Sequence, residues 1–194
     1  MKTTDIEYYN YLKNRSKFSF WFRKNFLLRP VVKEFSGKVL DVGCGIGEFL
    51  QLYQNTYGIE TNKYIINHCR KNGLRVYYGS ALNIPFKENT FDGVFCSNVL
   101  EHLEKPEKAI SEMKRVLKKR GILLIIVPTK KGYKKDPTHV KYWDEKNLIN
   151  LLKKFNFRIK KISYFPFSLK FLRHRITFND LRVIAEKSNT GGLK

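Results

Sequence analysis

The residues best suited to chemistry begin with a glycine cluster after a short apolar run. Residues 39–42 read Val-Leu-Asp-Val, and Gly43, Gly45 and Gly47 then occupy every second position. Glycines at such a turn let the backbone approach a ligand closely, and the amides at the start of the next element are free to donate hydrogen bonds. The pattern predicts a ligand-binding turn between a strand and a helix.

A carboxylate, Glu60, ends the next apolar run at residues 56–60. The carboxyl ends of parallel strands open on the crevice in which ligands bind, and a carboxylate there accepts hydrogen bonds from two adjacent hydroxyls at once. The alternative is a surface glutamate that precedes a helix. The spacing from Gly43 favours the binding role.

A dinucleotide cofactor is the rival interpretation of the glycine turn. Its fingerprint has a third small residue where this chain has Glu48, and a carboxylate at that position would repel a pyrophosphate. The sequence therefore favours a ligand without phosphate, and a dehydrogenase becomes the less favoured reading.

Residues 41–47 resemble the first motif of the class I S-adenosylmethionine-dependent methyltransferases, and Glu60 is similar to the acidic residue that binds the ribose in that family. Residues 79–86, followed by 91–94, resemble the loop beside the adenine and the fourth strand. Residues 97–103 match a segment that lies beneath the transferable methyl group. The resemblance covers residues 38–128, and it is to a subgroup of small-molecule type that includes quinone and glycan-pathway enzymes.

The resemblance implies S-adenosylmethionine as the cofactor and methyl transfer as the activity. The implied cofactor-binding residues are Asp41, Gly43, Cys44, Gly45, Gly47, Glu60, Thr61, Ser80, Ala81, Leu82, Ser97 and Asn98. Ser80 departs from the family, where an aspartate usually accepts a hydrogen bond from the adenine amino group. Serine makes only a neutral hydrogen bond there.

Two histidines are candidate catalytic bases. His102 follows the fourth predicted strand, and His139 follows the loop after the fifth. Methyl transfer to a hydroxyl or an amine releases a proton, and imidazole titrates near neutral pH. Each histidine has an alternative role in which it only braces its loop by hydrogen bonds.

The elements that position these residues follow from the alternation of apolar runs. Strands are predicted at residues 38–42, 56–60, 74–78, 91–96, 122–127, 157–163 and 178–186, and helices at 48–54, 63–71, 106–118 and 144–155. This order predicts an α/β fold, a doubly wound and mainly parallel seven-stranded sheet of Rossmann-like type that ends in an antiparallel hairpin.

The ends of the chain differ in composition from its centre. Residues 6–35 are rich in aromatic and basic residues at helical spacing until Pro30 interrupts the pattern. We predict a helical extension over residues 1–36, a cofactor-binding domain over 37–187 and a flexible tail over 188–194. The aromatic residues of the extension and of residues 165–171 are candidates for a lid or an acceptor pocket.

Composition bounds the remaining possibilities. The 194 residues carry 38 Lys and Arg against 17 Asp and Glu, a net charge of +21. Such a charge attracts RNA or an anionic lipid surface, or reflects the host's general composition. Cys44, Cys69 and Cys96 are far apart, so they predict buried thiols and no metal site. We expect no transmembrane segment and a cytoplasmic location.

Three functions therefore stay open. The first is methyl transfer to a small-molecule or lipid-linked acceptor. The second is methylation of RNA through the basic clusters at residues 130–135 and 153–161. The third is a catalytically silent cofactor-binding subunit that acts by interaction.

Overall fold

The computed structural model describes residues 4–166 and 179–188, which form a seven-stranded sheet in the order β3-β2-β1-β4-β5-β7-β6. The strands are β1 (Val39–Val42), β2 (Thr56–Glu60), β3 (Val76–Tyr78), β4 (Phe91–Ser97), β5 (Leu117–Pro128), β6 (Phe157–Phe165) and β7 (Asp180–Lys187). The first five strands pair in parallel, whereas β7 runs antiparallel to both β5 and β6. The predicted fold class is confirmed.

The helices cover both faces of this sheet. They are α1 (Asp5–Lys13), α2 (Lys17–Phe22), α3 (Arg29–Val32), α4 (Lys63–Lys71), α5 (Pro106–Val116), α6 (Lys130–Tyr133) and α7 (Glu145–Lys154), with a π-helix at Arg23–Leu28 and a 3-10 helix at Leu100–His102. No helix among the described residues has the length and apolar character needed to cross a bilayer.

Side chains alternate between two apolar layers, as the two-residue period of a strand requires. In β5, Leu123, Ile125 and Val127 join the core cluster that contains α5 and α7 residues. Leu124 and Ile126 join the cluster on the other face, with residues from the end of the amino-terminal helices. Both faces of the central strands are therefore buried, which explains their continuous apolar sequence.

The order of the strands creates the crevice. The chain moves outward from β1 through β2 to β3 and then returns to pair β4 with the free side of β1. Ligands in open α/β sheets bind at such a reversal, outside the carboxyl ends of the strands. The glycine turn after β1 and the loop after β4 meet at this point.

Several element boundaries differ from the sequence predictions. Residues 48–52 form successive turns instead of the helix predicted at 48–54. Their hydrogen bonds mix the four-residue spacing of an α-helix, as in Tyr53 N to Phe49 O at 3.1 Å, with the shorter spacing of Leu52 N to Phe49 O at 3.0 Å. The segment has eight residues between Gly47, with its φ of +81°, and the start of β2, and no regular helix is completed within it.

Two other boundaries differ from their predicted positions. α5 ends at Val116, short of the predicted residue 118, because Leu117 is already buried and paired with Phe91 as the first residue of β5. The helical run at residues 17–32 continues through Pro30, which lies in the first turn of α3, where proline is tolerated. The predicted aromatic segment beyond residue 166 and the tail beyond residue 188 lie outside the described residues.

Candidate cofactor and acceptor site

The glycine turn folds back over the end of β2. The amides of Gly43 and Cys44 both donate to the carbonyl of Ile59, at 2.9 and 3.1 Å. Gly43 has a φ of +69°, and a Cβ on it would lie 2.5 Å from Cγ2 of Val99 in the loop after β4. Glycine is therefore required at position 43 by backbone conformation and by the close approach of a second loop.

Glu60 occupies the point where this turn meets α4. Its Oε2 accepts a hydrogen bond from the amide of Gly45 at 3.2 Å. Its Oε1 accepts from the amides of Thr61 and Asn62, at 2.8 and 3.2 Å. Asn62 in turn caps the amino terminus of α4. The carboxylate is thus fixed beside the glycine turn by three backbone amides.

Asp41 lies beneath the turn and is only 4% exposed. Burial raises the pKa of its carboxyl group well above the ordinary value, and the nearby charges of Glu60 and Glu48 raise it further. The carboxyl groups of Asp41 and Glu60 at the ends of β1 and β2 suit a cationic ligand better than a phosphate.

The loop after β3 borders the same crevice. The amide of Gly79 donates to the carbonyl of Glu60 at 3.1 Å, so this loop starts beside the end of β2. The hydroxyl of Ser80 accepts from the amide of Leu82 at 3.1 Å, and Ala81 is buried. The Ser80 hydroxyl keeps its proton free to donate to a ligand.

The loop after β4 lies on the other side of the glycine turn. Asn98 has a φ of +53°, and its amide donates to the carbonyl of Ile126 at 2.9 Å. The hydroxyl of Ser97 is buried and has no hydrogen-bond partner in the part of the chain that the structure describes. A polar atom in that state is suited to a ligand that supplies its partner.

The two predicted histidines are brought together, although 36 positions separate them. Their ring centroids lie 4.6 Å apart at an interplanar angle of 58°. The loop that carries His139 is held to the 3-10 helix by two bonds, from the amides of Val140 and Lys141 to the carbonyl of Glu101, at 2.9 and 3.1 Å. Burial lowers the pKa of His102, and the neighbouring His139 lowers it further.

Glu101 adds a carboxylate to the histidine pair. The residue is 1% exposed, and neither carboxylate oxygen has a hydrogen-bond partner among the described residues. Burial raises the pKa of Glu101 to about 8. The sequence analysis missed Glu101 because only the packing of the 3-10 helix shows that its side chain is buried rather than solvated.

The helix α1 packs against the glycine turn and the start of α4. Among the described residues, Cδ1 of Leu12 is the atom that a Cβ on Gly45 would contact, at 3.6 Å, and the side-chain amide of Asn62 donates to the carbonyl of Asp5 at 2.6 Å. Tyr8 on the same helix is 45% exposed, and desolvation of its hydroxyl together with the charge of Glu60 raises its pKa to about 12. Tyr8 and Leu12 gave no motif signal in the sequence.

Glu48 has a different environment from the one assumed in the dinucleotide argument. Its Oε2 accepts from Arg15 at 2.8 Å and from Arg23 at 3.2 Å. The carboxylate therefore anchors the amino-terminal helices. Its charge is largely compensated, so it would repel a pyrophosphate only weakly. The turn differs from the dinucleotide fingerprint because Glu48 is large where the fingerprint has a small residue.

All the residues predicted to bind a cofactor therefore lie on the four loops after β1, β2, β3 and β4 or on the ends of β1, β2 and β4. The two candidate bases lie together on the far side of the loop after β4. The structure also shows Cys44, Cys69 and Cys96 as buried free thiols, as predicted.

Comparison with known proteins assigns this crevice to a known class of domain. Residues 40–125 match the family model described as a methyltransferase domain. The chain is 37% identical over 106 residues to the uncharacterized protein MJ0638 of Methanocaldococcus jannaschii, a match that covers 52% of this chain and 46% of the relative. The chain thus spans about half the length of that relative.

Two plant relatives carry functional names. The chain is 35% identical over 118 residues to 24-methylenesterol C-methyltransferase 2 of Arabidopsis thaliana, covering 53% of this chain and 33% of that protein. It is also 35% identical over 94 residues to the tRNA (carboxymethyluridine(34)-5-O)-methyltransferase of the same plant, covering 46% and 23%.

A solved structure supports the fold over nearly the whole chain. The SAM-dependent methyltransferase of Aquifex aeolicus superposes with a TM-score of 0.72 at 24% identity, covering 96% of this chain and 100% of that one. At this level of identity the similarity concerns the fold.

Proposed function

We propose that this chain, which carries a domain of the class I S-adenosylmethionine-dependent methyltransferase family, transfers a methyl group from that cofactor to a small-molecule or lipid-linked acceptor. The observation that supports the proposal is the position of Glu60, bonded to the Gly45 amide at the carboxyl ends of β1 and β2. When bound, the cofactor supplies a methyl group on a sulfonium, and the bond to the acceptor forms as the carbon–sulfur bond breaks.

The residues on the cofactor side fit such a ligand. The open face of Gly45 leaves room beside the backbone, with only Leu12 within contact distance of a Cβ there. Oε2 of Glu60 accepts one amide bond, from Gly45, and keeps a lone pair for a ribose hydroxyl. The buried carboxyl of Asp41 is compatible with the positive charge of a sulfonium.

We assign the removal of the acceptor's proton to the cluster of Glu101, His102 and His139. An oxygen or nitrogen acceptor loses one proton as its new bond to carbon forms, so the balanced reaction needs a group that takes or releases it. The side chains of Glu101 and His139 are buried, and burial strengthens the electrostatic interactions within this cluster.

An exposed aromatic face favours a lipid-linked acceptor. Phe18, Trp21 and Phe26 are 70%, 54% and 46% exposed along the helical run at residues 17–32. Lys17 and Lys24 on the same run are exposed cations. Exposed aromatic rings beside cations are typical of a helix that lies on an anionic membrane surface.

The cofactor half of the proposal is tested by calorimetry. We expect S-adenosylmethionine and its demethylated product to bind with micromolar affinity and NADH not to bind. Replacing Glu60 with Ala should weaken binding at least tenfold, because a hydrogen bond to a charged group is worth about 1.5–3 kcal/mol. Glu34→Ala, which removes a surface carboxylate paired only with Lys161, serves as the control. Absence of binding in folded protein would overturn the proposal.

The membrane contact is tested with a fluorescence probe that the chain provides. Trp143 is 3% exposed and Trp21 is 54% exposed, and the chain has two tryptophans. In a Trp143→Phe variant, Trp21 alone emits, and its emission should shift to shorter wavelength with anionic vesicles but not with zwitterionic ones. Phe18→Ser should weaken this binding. No shift on anionic vesicles argues for a soluble acceptor.

RNA is the second candidate acceptor, favoured by the net charge of +21 and by exposed lysines at the end of α7, Lys153 and Lys154. Part of the neighbouring cluster is already compensated, since Arg158 and Lys160 both pair with Glu186. Phosphate contacts make affinity fall steeply with salt. Binding of tRNA that weakens more than tenfold between 50 and 200 mM salt, roughly the range over which such contacts are lost, would favour RNA.

A further inference from the structure

The cluster on the acceptor side has the composition and spacing of a metal site. One ligand atom from each of Glu101, His102 and His139 lies within 4.8 Å of the other two. Oε1 of Glu101 is 3.9 Å from Nε2 of His139. Two imidazoles and a carboxylate can therefore converge on one point after small side-chain rotations.

The hydrogen bonds of His102 and His139 use Nδ1 of each ring and leave Nε2 to bind a metal ion. Nδ1 of His139 lies 2.8 Å from the carbonyl of Tyr133, which can only accept, so this nitrogen carries the proton. Nδ1 of His102 lies 3.1 Å from Oγ1 of Thr138, whose single proton is donated to Asp136 at 2.6 Å. Thr138 must therefore accept from His102. In both rings the lone pair is on Nε2.

This arrangement is the outer shell that metal-ligating histidines generally have. A ligating imidazole usually donates its other N–H to a carbonyl, hydroxyl or carboxylate, which fixes the ring and its tautomer. His139 has the carbonyl of Tyr133, and His102 has Thr138 backed by Asp136. Orientation of both rings is thus set before any ligand arrives.

The state of Glu101 is an independent observation that indicates a ligand-binding site. Its side chain is 1% exposed, and both oxygens lack a hydrogen-bond partner among the residues that the structure describes. Buried carboxylates are almost always hydrogen-bonded or paired, because an unpartnered one costs several kcal/mol. A cation between Glu101 and the two Nε2 atoms would satisfy it.

We infer that Glu101, His102 and His139 bind one divalent transition-metal ion. Two imidazole nitrogens and one carboxylate oxygen suit Zn²⁺, Fe²⁺, Co²⁺ or Mn²⁺ and leave coordination positions open, whereas Mg²⁺ and Ca²⁺ prefer all-oxygen sites. Oδ2 of Asp136, 3.9 Å from Nε2 of His139, is near enough to serve as a further ligand.

The role of the ion rests on the proposed function. The open positions would bind the oxygen of a hydroxyl acceptor. A bound ion lowers the pKa of that hydroxyl, so the O–H bond breaks, the electron pair stays on oxygen and the proton passes to water. The two imidazoles then act as ligands, and the ion takes the place of a protein base. The acceptor class this favours is a hydroxyl compound rather than an amine.

The site is tested by titrating the full chain, stripped with a chelator, with Co²⁺ and Zn²⁺ in the absence of any other ligand. We expect one equivalent of Co²⁺ to bind with visible absorption typical of low coordination number, and Zn²⁺ to displace it. His102→Ala, His139→Ala and Glu101→Gln should each weaken binding at least 100-fold. His68→Ala, which removes the imidazole beside Tyr9, should leave it unchanged.

A graded variant separates a designed site from adventitious binding. Thr138→Val removes the partner of His102 Nδ1 and should weaken Co²⁺ binding about tenfold, the usual effect of an outer-shell change. Thr138→Ser restores the hydroxyl and should restore affinity. Circular dichroism identifies any variant that does not fold. The variants that do fold then decide whether Glu101, His102 and His139 form the Co²⁺ site.

Two outcomes would overturn the inference. One is absence of Co²⁺ binding to folded wild-type protein, and the other is binding that His68→Ala reduces as much as His102→Ala does. The calorimetric titration with S-adenosylmethionine is independent, because it is made without metal. A chain that binds the cofactor but not Co²⁺ loses only the metal site, and one that binds Co²⁺ but not the cofactor loses only the proposed function.

Discussion

The cofactor side and the acceptor side of the crevice are built in different ways. On the cofactor side, Glu60 is held by backbone amides of the glycine turn and of the start of α4. On the acceptor side, Glu101, His102 and His139 are side chains on two separate segments, and Thr138 and Tyr133 orient the two imidazoles. The first side is a feature of the backbone, and the second is a feature of side-chain packing.

This difference shows which part of the site can vary. A backbone cradle is preserved by glycines and by the strand order, so it tolerates few changes. A side-chain cluster on a loop can be exchanged without altering the sheet.

The largest effect is predicted for a substitution that disrupts the cofactor side of the crevice alone. Gly43→Ala should abolish cofactor binding and cost about 2–4 kcal/mol of stability, since it adds strain at positive φ to a clash with Val99. Gly73→Ala is the matched control, because Gly73 has a φ of +73° and no atom within 4 Å of a Cβ. It should cost about 1–2 kcal/mol and leave binding intact.

Denaturant melts and calorimetry measure both variants. Equal losses of stability in Gly43→Ala and Gly73→Ala would mean that backbone strain alone, and not the clash with Val99, matters at position 43. If folded Gly43→Ala keeps Co²⁺ binding, the two sides are independent. A second change, Val99→Ala, should recover part of the stability by removing the clash.

An effect of intermediate size is expected at Asp41, where a substitution should stabilise the protein, whereas Gly43→Ala should destabilise it. Because burial raises its pKa, the unfolded chain ionises at lower pH than the folded one, and stability falls as pH rises from the ordinary pKa to the raised one. Asp41→Asn should therefore stabilise the protein at neutral pH and have no effect near pH 3.5, below about the ordinary pKa. Each tenfold change in proton affinity is worth about 1.4 kcal/mol, or several degrees in Tm.

Thermal melts from acid to neutral pH check this prediction. Asp92 is the control of opposite sign. Burial alone would raise its pKa, but bonds from Lys118 and from the Lys38 amide lower it, so Asp92→Asn should destabilise above the ordinary pKa. A Tm difference at Asp41 that did not vary with pH would show that shape, and not charge, is responsible.

The smallest effect concerns the helices that span both sides. Glu48→Gln weakens the anchor of Arg15 and Arg23 and should reduce cofactor affinity about fivefold, equivalent to about 1 kcal/mol. Glu186→Gln is the matched control, since Glu186 also pairs with two cations but lies in β7, on the opposite side of β5 from β1 and β2. Calorimetry should show unchanged affinity for that control. Equal weakening in both would exclude a specific role for the amino-terminal helices.

Much of the fold could be predicted because it depends on local patterns. β2, α4 and the hairpin partners β6 and β7 follow from two-residue and helical periods, and α4 matched its predicted bounds at residues 63–71. The helix predicted at 48–54 is absent, because the turns between Gly47 and β2 mix two hydrogen-bond spacings, a geometry that the local pattern of apolar residues does not encode. Domain bounds at residues 36 and 187 stay predictions.

By itself the sequence determined the glycine turn and the carboxylate beside it. The glycines at 43, 45 and 47 and the acid at 60 act through the backbone beside them, so their spacing carries the information. Only the tertiary structure decided the cluster on the other side: Glu101 is buried with no hydrogen-bond partner among the described residues, and His139 lies against His102 across 36 intervening positions. Burial and contact between distant segments depend on how the sheet brings its loops together, and no short stretch of sequence specifies that.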